Sequence, residues 1–134
     1  MNNDFKVTFP GGKRVDAEFK GFVVKTDQPV HQGGDGSAPA PFDYFLASIA
    51  TCSGIYVLSF CQMRKIPTED ITLTMRIERD PVKKMVGKIF MDVQLPLEFP
   101  EKYQKAVIKA IDGCAVKMHL HDPPEFEIKT IIGS

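Results

Sequence analysis

Neither sign of charge is in excess, and that sets a first limit on function. Lys plus Arg and Asp plus Glu number 17 each over 134 residues, so no net field draws the chain to nucleic acid or anionic lipid. The opening "MNNDFKVTFPGGKRVD" lacks an apolar stretch of the length that a secretory leader needs, and the expected location is the reducing cytoplasm. Cysteine is scarce as well. Cys52, Cys61 and Cys114 are an odd number with no CxxC pair, which argues against a disulfide framework and against zinc knuckles. A bond between any two of them would be functional rather than structural. His31, His119 and His121 share no zinc-ligand spacing with the cysteines, so no metal site is expected. "GGDGS" matches neither phosphate-binding fingerprint. With no internal repeat, low-complexity tract or linker, residues 1–134 are expected to form a single domain.

Alternation with a period of two is what the chain does have. Phe5, Val7 and Phe9, then Val15, Ala17 and Phe19, alternate with polar residues on either side of "PGGKR", the signature of a hairpin. "GFVVKTDQP" adds a further extended piece, and "VHQGGDGSAPAP" reads as an irregular loop of the kind that lines sites. "ITLTMRIER" and "MVGKIFMDVQLPLEF" predict a second antiparallel hairpin across "DPVKK". The closing "EFEIKTII" alternates again and predicts a last strand. Between these lie two helical stretches. The first is expected from Pro41, suited to the first helical position, with Asp43 in the first turn, to about Lys65 before Pro67. The second follows the stripe Tyr103, Val107, Ala110, Ile111, Cys114 and Met118, broken at Gly113, which would leave Cys114 at the start of a new turn. Strands and helices in this order predict an α+β fold with antiparallel sheets.

The first helix, "PFDYFLASIATCSGIYVLSFCQM", carries no formal charge from Tyr44 to Phe60. It would be about 35 Å long, but the uncharged run is short for a membrane span and holds Ser48, Thr51, Ser53, Gly54 and Ser59. A helix apolar nearly all round must be buried on every side. A chain this short can hardly do that alone, so a homodimer is expected, with the same helix of a second copy as cover.

A cysteine on an apolar helix is most often a small buried hydrophobe, and Cys61 is read so. Cys52 and Cys114 differ because small neighbours flank each: Ala50, Thr51, Ser53 and Gly54 for the first, Gly113 and Ala115 for the second. "APAPFDYFLASIATC" followed by a second helix broken at "GC" resembles the OsmC/Ohr family of osmotically inducible and organic hydroperoxide resistance proteins. The resemblance runs over nearly the whole chain in element order. It implies an intertwined α+β homodimer with sheets packed around long central helices, and a thiol-dependent peroxidase using Cys52 and Cys114. On that reading Cys52 attacks an organic hydroperoxide. Its sulfenic acid then condenses with Cys114 to a disulfide, and a dithiol reductant, lipoyl-linked in kind, restores both thiols.

The peroxidases of the family hold the thiolate with an Arg and a Glu. Phe42 stands where the glutamate belongs, and Asp43, one place later, is either a variant of that acid or a helix cap. Arg14, with Lys13 beside it, is the candidate for the arginine, whose charge would lower a thiol pKa; the bland alternative is a solvated turn residue. A rival reading follows from Phe42, namely an OsmC-fold module that binds a small apolar ligand or senses redox state and turns peroxide over slowly.

Overall fold

β1 (Lys6–Gly11) and β2 (Arg14–Phe19) pair antiparallel with Val7 opposite Ala17 and Thr8 opposite Asp16, as their alternation predicts. The register shifts between Thr8 and Gly11, and Gly12 takes the turn with φ +59°, a left-handed conformation cheap only for glycine. β3 (Phe22–Thr26) folds back on β2 through Lys20 and Gly21, both at positive φ, as a two-residue hairpin turn requires. These features belong to a computed structural model that describes residues 4–133. The leader reading therefore falls partly on residues 1–3, outside the described residues. The chain divides into two compact units, one up to Ser48 and one from Ile49 onward.

In the first unit the β1-β2-β3 sheet is followed by the loop 27–40, which is tied back on itself by one buried side chain. The Asp27 carboxylate accepts the backbone N–H groups of Gln28 (2.7 Å), Asp35 (3.3 Å) and Ser37 (3.0 Å) and the Ser37 hydroxyl (2.6 Å). Those donors hold its pKa down at about 2, against a small opposing effect of burial. α1 (Pro41–Met63) begins here. The Asp43 carboxylate accepts the Ala40 N–H at 2.9 Å and the Ala40 carbonyl accepts the Asp43 N–H at 2.9 Å, a reciprocal cap of the helix N-terminus.

The second unit has one core, built where the buried stripe of α1 (Ile49, Ser53, Val57, Phe60, Cys61) meets apolar faces of the remaining elements. β4 (Thr72–Arg79) and β5 (Val86–Gln94) pair with Leu73 opposite Val93, Met75 opposite Met91 and Ile77 opposite Ile89. Their inner residues pack with Phe99 and with Val107 and Ile111 of α2 (Gln104–Asp112). Gly113 ends α2, and α3 (Ala115–His121) starts afresh with Cys114 as its N-cap, as the glycine break predicts. Phe42, Phe45, Ile55 and Met63 of α1 are exposed among the described residues of the single chain. By length and composition alone α1 is also long and apolar enough to cross a membrane.

α1 stops in a Schellman arrangement: the Lys65 N–H reaches the Gln62 carbonyl (3.2 Å) and the Ile66 N–H the Cys61 carbonyl (2.9 Å). Lys65 sits at φ +56°, a site that favours glycine. Lys65→Gly should therefore stabilise the protein by about 0.5–1 kcal/mol, read as a higher urea midpoint at unchanged slope.

The expected last strand is not formed. From Pro123 to Gly133 the chain has no regular structure, and Ile128 is 90% exposed. Alternation marks a segment able to pair; a strand also needs an edge to pair with, and residues 123–133 find none within the described chain.

Candidate active site

Two pieces of local structure bring two thiols together. On α1, Ser53 lies on the buried stripe and Cys52, one residue earlier and so about 100° round the helix, is half-buried. Gly113 lets the chain turn out of α2, which places Cys114 at the head of α3 with its carbonyl accepting the Met118 N–H at 3.0 Å. The Cys52 side chain is hydrogen bonded to the Cys114 sulfur, and the Ser53 hydroxyl and the N–H groups of Val116 and Lys117 stand around that sulfur, although the Cys114 side chain forms no cap bond to α3. Cys114 and Ser53 are both fully buried.

Burial is the largest single influence on Cys114 and pushes its thiol pKa up. The polar groups of Cys52, Lys117, Val116 and Ser53 around it together outweigh it and leave the thiol below its ordinary range. Cys61 is the opposite case. Burial raises its pKa, and the nearby Arg64 guanidinium offsets this only in part. Arg64 is itself fixed over the Phe60 ring, 3.6 Å from its centroid, and donates to the Phe60 carbonyl at 3.0 Å. Cys61 thus behaves as the core hydrophobe that the sequence reading made it.

Beside Ser53 opens a cleft of about 180 Å³. Its walls are mostly apolar, with Ile49, Met91, Ile111 and Leu120 among them, and among the described residues Lys117 is the charged one that lines it. The Lys117 ammonium is paired with Asp112 at 3.1 Å.

Of the four residues proposed from the sequence, Cys52 and Cys114 meet directly. Arg14 and Asp43 belong to the N-terminal unit and each has a partner there: Arg14 Nη1 lies 3.5 Å from the Asp35 carboxylate, and Asp43 caps α1 through Ala40. Phe42 is partly exposed with its ring 5.3 Å from that of Phe45. His119 donates from Nδ1 to the Ala115 carbonyl at 2.6 Å. Among the described residues no three His, Cys, Asp or Glu side chains converge as a metal set. Ser53 is the residue that sequence reading passed over. It counted only as a small neighbour of Cys52, although its place four residues after Ile49 and four before Val57 puts a hydroxyl on an otherwise apolar stripe.

An α+β chain with a thiol on a long apolar helix, set against a second thiol at a helix break, defines the class of protein. The family model for OsmC-like proteins matches residues 34–129, and the chain belongs to that family. Solved structures agree on the fold. An osmotic stress induced and detoxification response protein from Psychrobacter arcticus 273-4 superposes with a TM-score of 0.73 at 23% identity, over 88% of this chain and 87% of that one. An OsmC-like protein from Mycoplasma pneumoniae gives 0.70 at 15% identity, over 92% and 89%. An organic hydroperoxide resistance protein from Vibrio cholerae, solved with captopril in one of its active sites, gives 0.57 at 21% identity, over 90% and 85%. No match was found among curated proteins.

Proposed function

We propose that this protein is a cysteine-based peroxidase that reduces organic hydroperoxides, with Cys52 as the attacking and Cys114 as the resolving thiol. The hydrogen bond between the two side chains carries the reading. Cys52, the more accessible sulfur, attacks the terminal peroxide oxygen. The O–O bond breaks, an alcohol departs, and the Cys52 sulfenic acid meets Cys114 already in place, so that a disulfide forms with loss of water. Membership of the OsmC-like family, which includes hydroperoxide resistance proteins such as that of Vibrio cholerae, supports the substrate class. The apolar cleft beside Ser53 suits an alkyl or aryl group, whose burial favours organic over inorganic peroxide. A dithiol reductant of the lipoyl-linked kind would restore the pair by exchange, and a reducing compartment such as the cytoplasm keeps both thiols ready.

Homodimer formation belongs to the same reading. The exposed apolar residues on α1 and the unpaired alternation of residues 125–132 are what a second copy would cover, and sedimentation is expected to show a dimer at micromolar concentration.

A second reading, a ligand-binding or redox-sensing module, draws on one observation. The Asp43 carboxylate is engaged in capping α1, and Phe42 stands where the peroxidases of the family carry glutamate. Stopped-flow oxidation by cumene hydroperoxide separates the two. The peroxidase should consume it far faster than free cysteine at the same pH, whereas a rate equal to that of free cysteine would leave the module reading in place.

A further inference from the structure

A cavity of the second unit lies apart from the thiols, at the C-terminal end of α1, where that helix stops about 16 Å along its axis from Cys52. Its volume of about 280 Å³ is near the lower end for small-molecule sites. Ile66, Phe99 and three prolines, Pro67, Pro96 and Pro100, form its apolar part. Phe99 belongs to the core, and two tight turns follow one another here. The Pro96 carbonyl accepts the Phe99 N–H and the Pro100 carbonyl accepts the Tyr103 N–H, each at 3.0 Å. Proline fixes its own backbone torsion, so this wall is shaped before any ligand arrives.

The charged lining residues are Arg64, Lys65, Glu69, Asp70 and Glu98. Two cations and three carboxylates share one small space, yet among the described residues none of the five comes within ion-pair distance of another. Arg64 is the most firmly held of them. Its guanidinium lies 3.6 Å from the centroid of the Phe60 ring and 5.3 Å from that of Tyr103, and its Nη1 donates to the Phe60 carbonyl at 3.0 Å. A guanidinium carries more N–H donors than that one bond uses. The planar fork is thus oriented by the fold and keeps donors for something else. Separated charges of both signs beside an apolar wall suit a molecule that carries both charges and an apolar group.

We propose that this cavity binds a free α-amino acid with an apolar side chain. Arg64, with Lys65 beside it, takes the α-carboxylate, because planar bidentate pairing with a carboxylate is the particular strength of a guanidinium. Glu98, within the turn from Pro96 to Phe99, takes the α-ammonium together with Glu69 or Asp70, and the side chain rests on Ile66 and Phe99. A simple anion would meet three carboxylates here and a simple cation two basic groups. Each is opposed by like charge, whereas a zwitterion offers each sign its opposite. The site shares no residue with the Cys52 and Cys114 pair and does not depend on the peroxidase reading.

Amide shifts of the isotope-labelled, full-length protein during titration with L-leucine test the site. They should saturate at millimolar leucine or below and centre on residues 64–70 and 96–100. Isocaproate, which is leucine without its ammonium, and isoamylamine, which lacks the carboxylate, should each bind about tenfold more weakly or worse. Arg64→Gln should weaken leucine binding by a similar factor. Arg64 also packs on Phe60, so the exposed Glu98→Gln decides the matter if that variant fails to fold. Glu98→Gln should weaken leucine while isocaproate binds as well as before or better, a contrast that a general loss of structure does not produce. The absence of saturable shifts up to about 10 mM leucine overturns the proposal. Equal affinity for leucine and isocaproate, or shifts centred on other residues, overturns it too.

Discussion

Replacing Cys52 by serine is expected to lower cumene hydroperoxide turnover on the order of a thousandfold or more, while the melting temperature hardly moves. The reason is electronic before it is geometric. Reduction of a hydroperoxide needs an atom that can bind oxygen and give up two electrons, which sulfur does in becoming a sulfenic acid. A serine hydroxyl of similar size keeps the packing and cannot be oxidised in this way. Nor can another thiol take over. Cys61 is fully buried with its pKa raised by that burial and so stays an inert thiol, and Cys114 is fully buried behind Cys52 in the hydrogen-bonded pair. Cys61→Ala should accordingly keep the wild-type rate, and Cys114→Ser should stall after one turnover with sulfenic acid accumulating at Cys52. The remaining hydroperoxide, measured colorimetrically over time, gives the rates. Retention of more than about a tenth of wild-type turnover in Cys52→Ser would remove Cys52 from the attacking role.

Much of the frame behind this prediction was legible in the residues, and the exceptions have physical causes. The strands β4 and β5 show in their period of two because each has one face inward, β1 and β2 alternate and pair although Val7 and Phe9 stay exposed in the single chain, and the break at Gly113 shows because a glycine interrupts a helical stripe. Asp43 could be read as a cap from its place in the first turn, and it is one. The meeting of Cys52 with Cys114 was different. Residues so far apart in sequence are brought together only by tertiary packing, and the expectation came from family resemblance alone. The polar groups around the Cys114 sulfur, two of them backbone N–H groups, leave no mark in composition. Residues 125–132 alternate as a strand should, yet pairing depends on an edge that no local pattern supplies. Asp27 escaped notice for a simpler reason: aspartates are mostly exposed, and nothing in "TDQPVHQGGDGS" says which of its two aspartates turns inward.

That buried aspartate is the basis of the largest expected effect on stability, at Gly34. A Cβ added there would overlap the Gln28 carbonyl oxygen and lie 2.6 Å from its carbon and 2.8 Å from Asp27 Oδ1. The obstacle is backbone on one side and the carboxylate that ties the loop on the other, so neither can swing away as a long side chain would. Gly34 also donates its own N–H to the Pro29 carbonyl at 3.1 Å, which resists any displacement of the loop. Gly34→Ala should therefore cost about 3 kcal/mol, the upper part of the range for overpacking, and lower the melting temperature by roughly 10 °C. A fall of less than about 2 °C would mean that the loop relaxes freely and that the Asp27 bonds do not fix it. The acid limb of stability supplies an independent check on the same carboxylate. Because the folded pKa of Asp27 is depressed from 3.8 to about 2, its contribution is fully present above the unfolded value and is lost as pH falls through the folded one. Wild type should thus lose stability progressively between about pH 4 and pH 2. Asp27→Asn, which cannot ionise, should start from a lower melting temperature at neutral pH and show a flatter decline across that window. An equally steep decline in Asp27→Asn would assign the acid limb to other carboxylates.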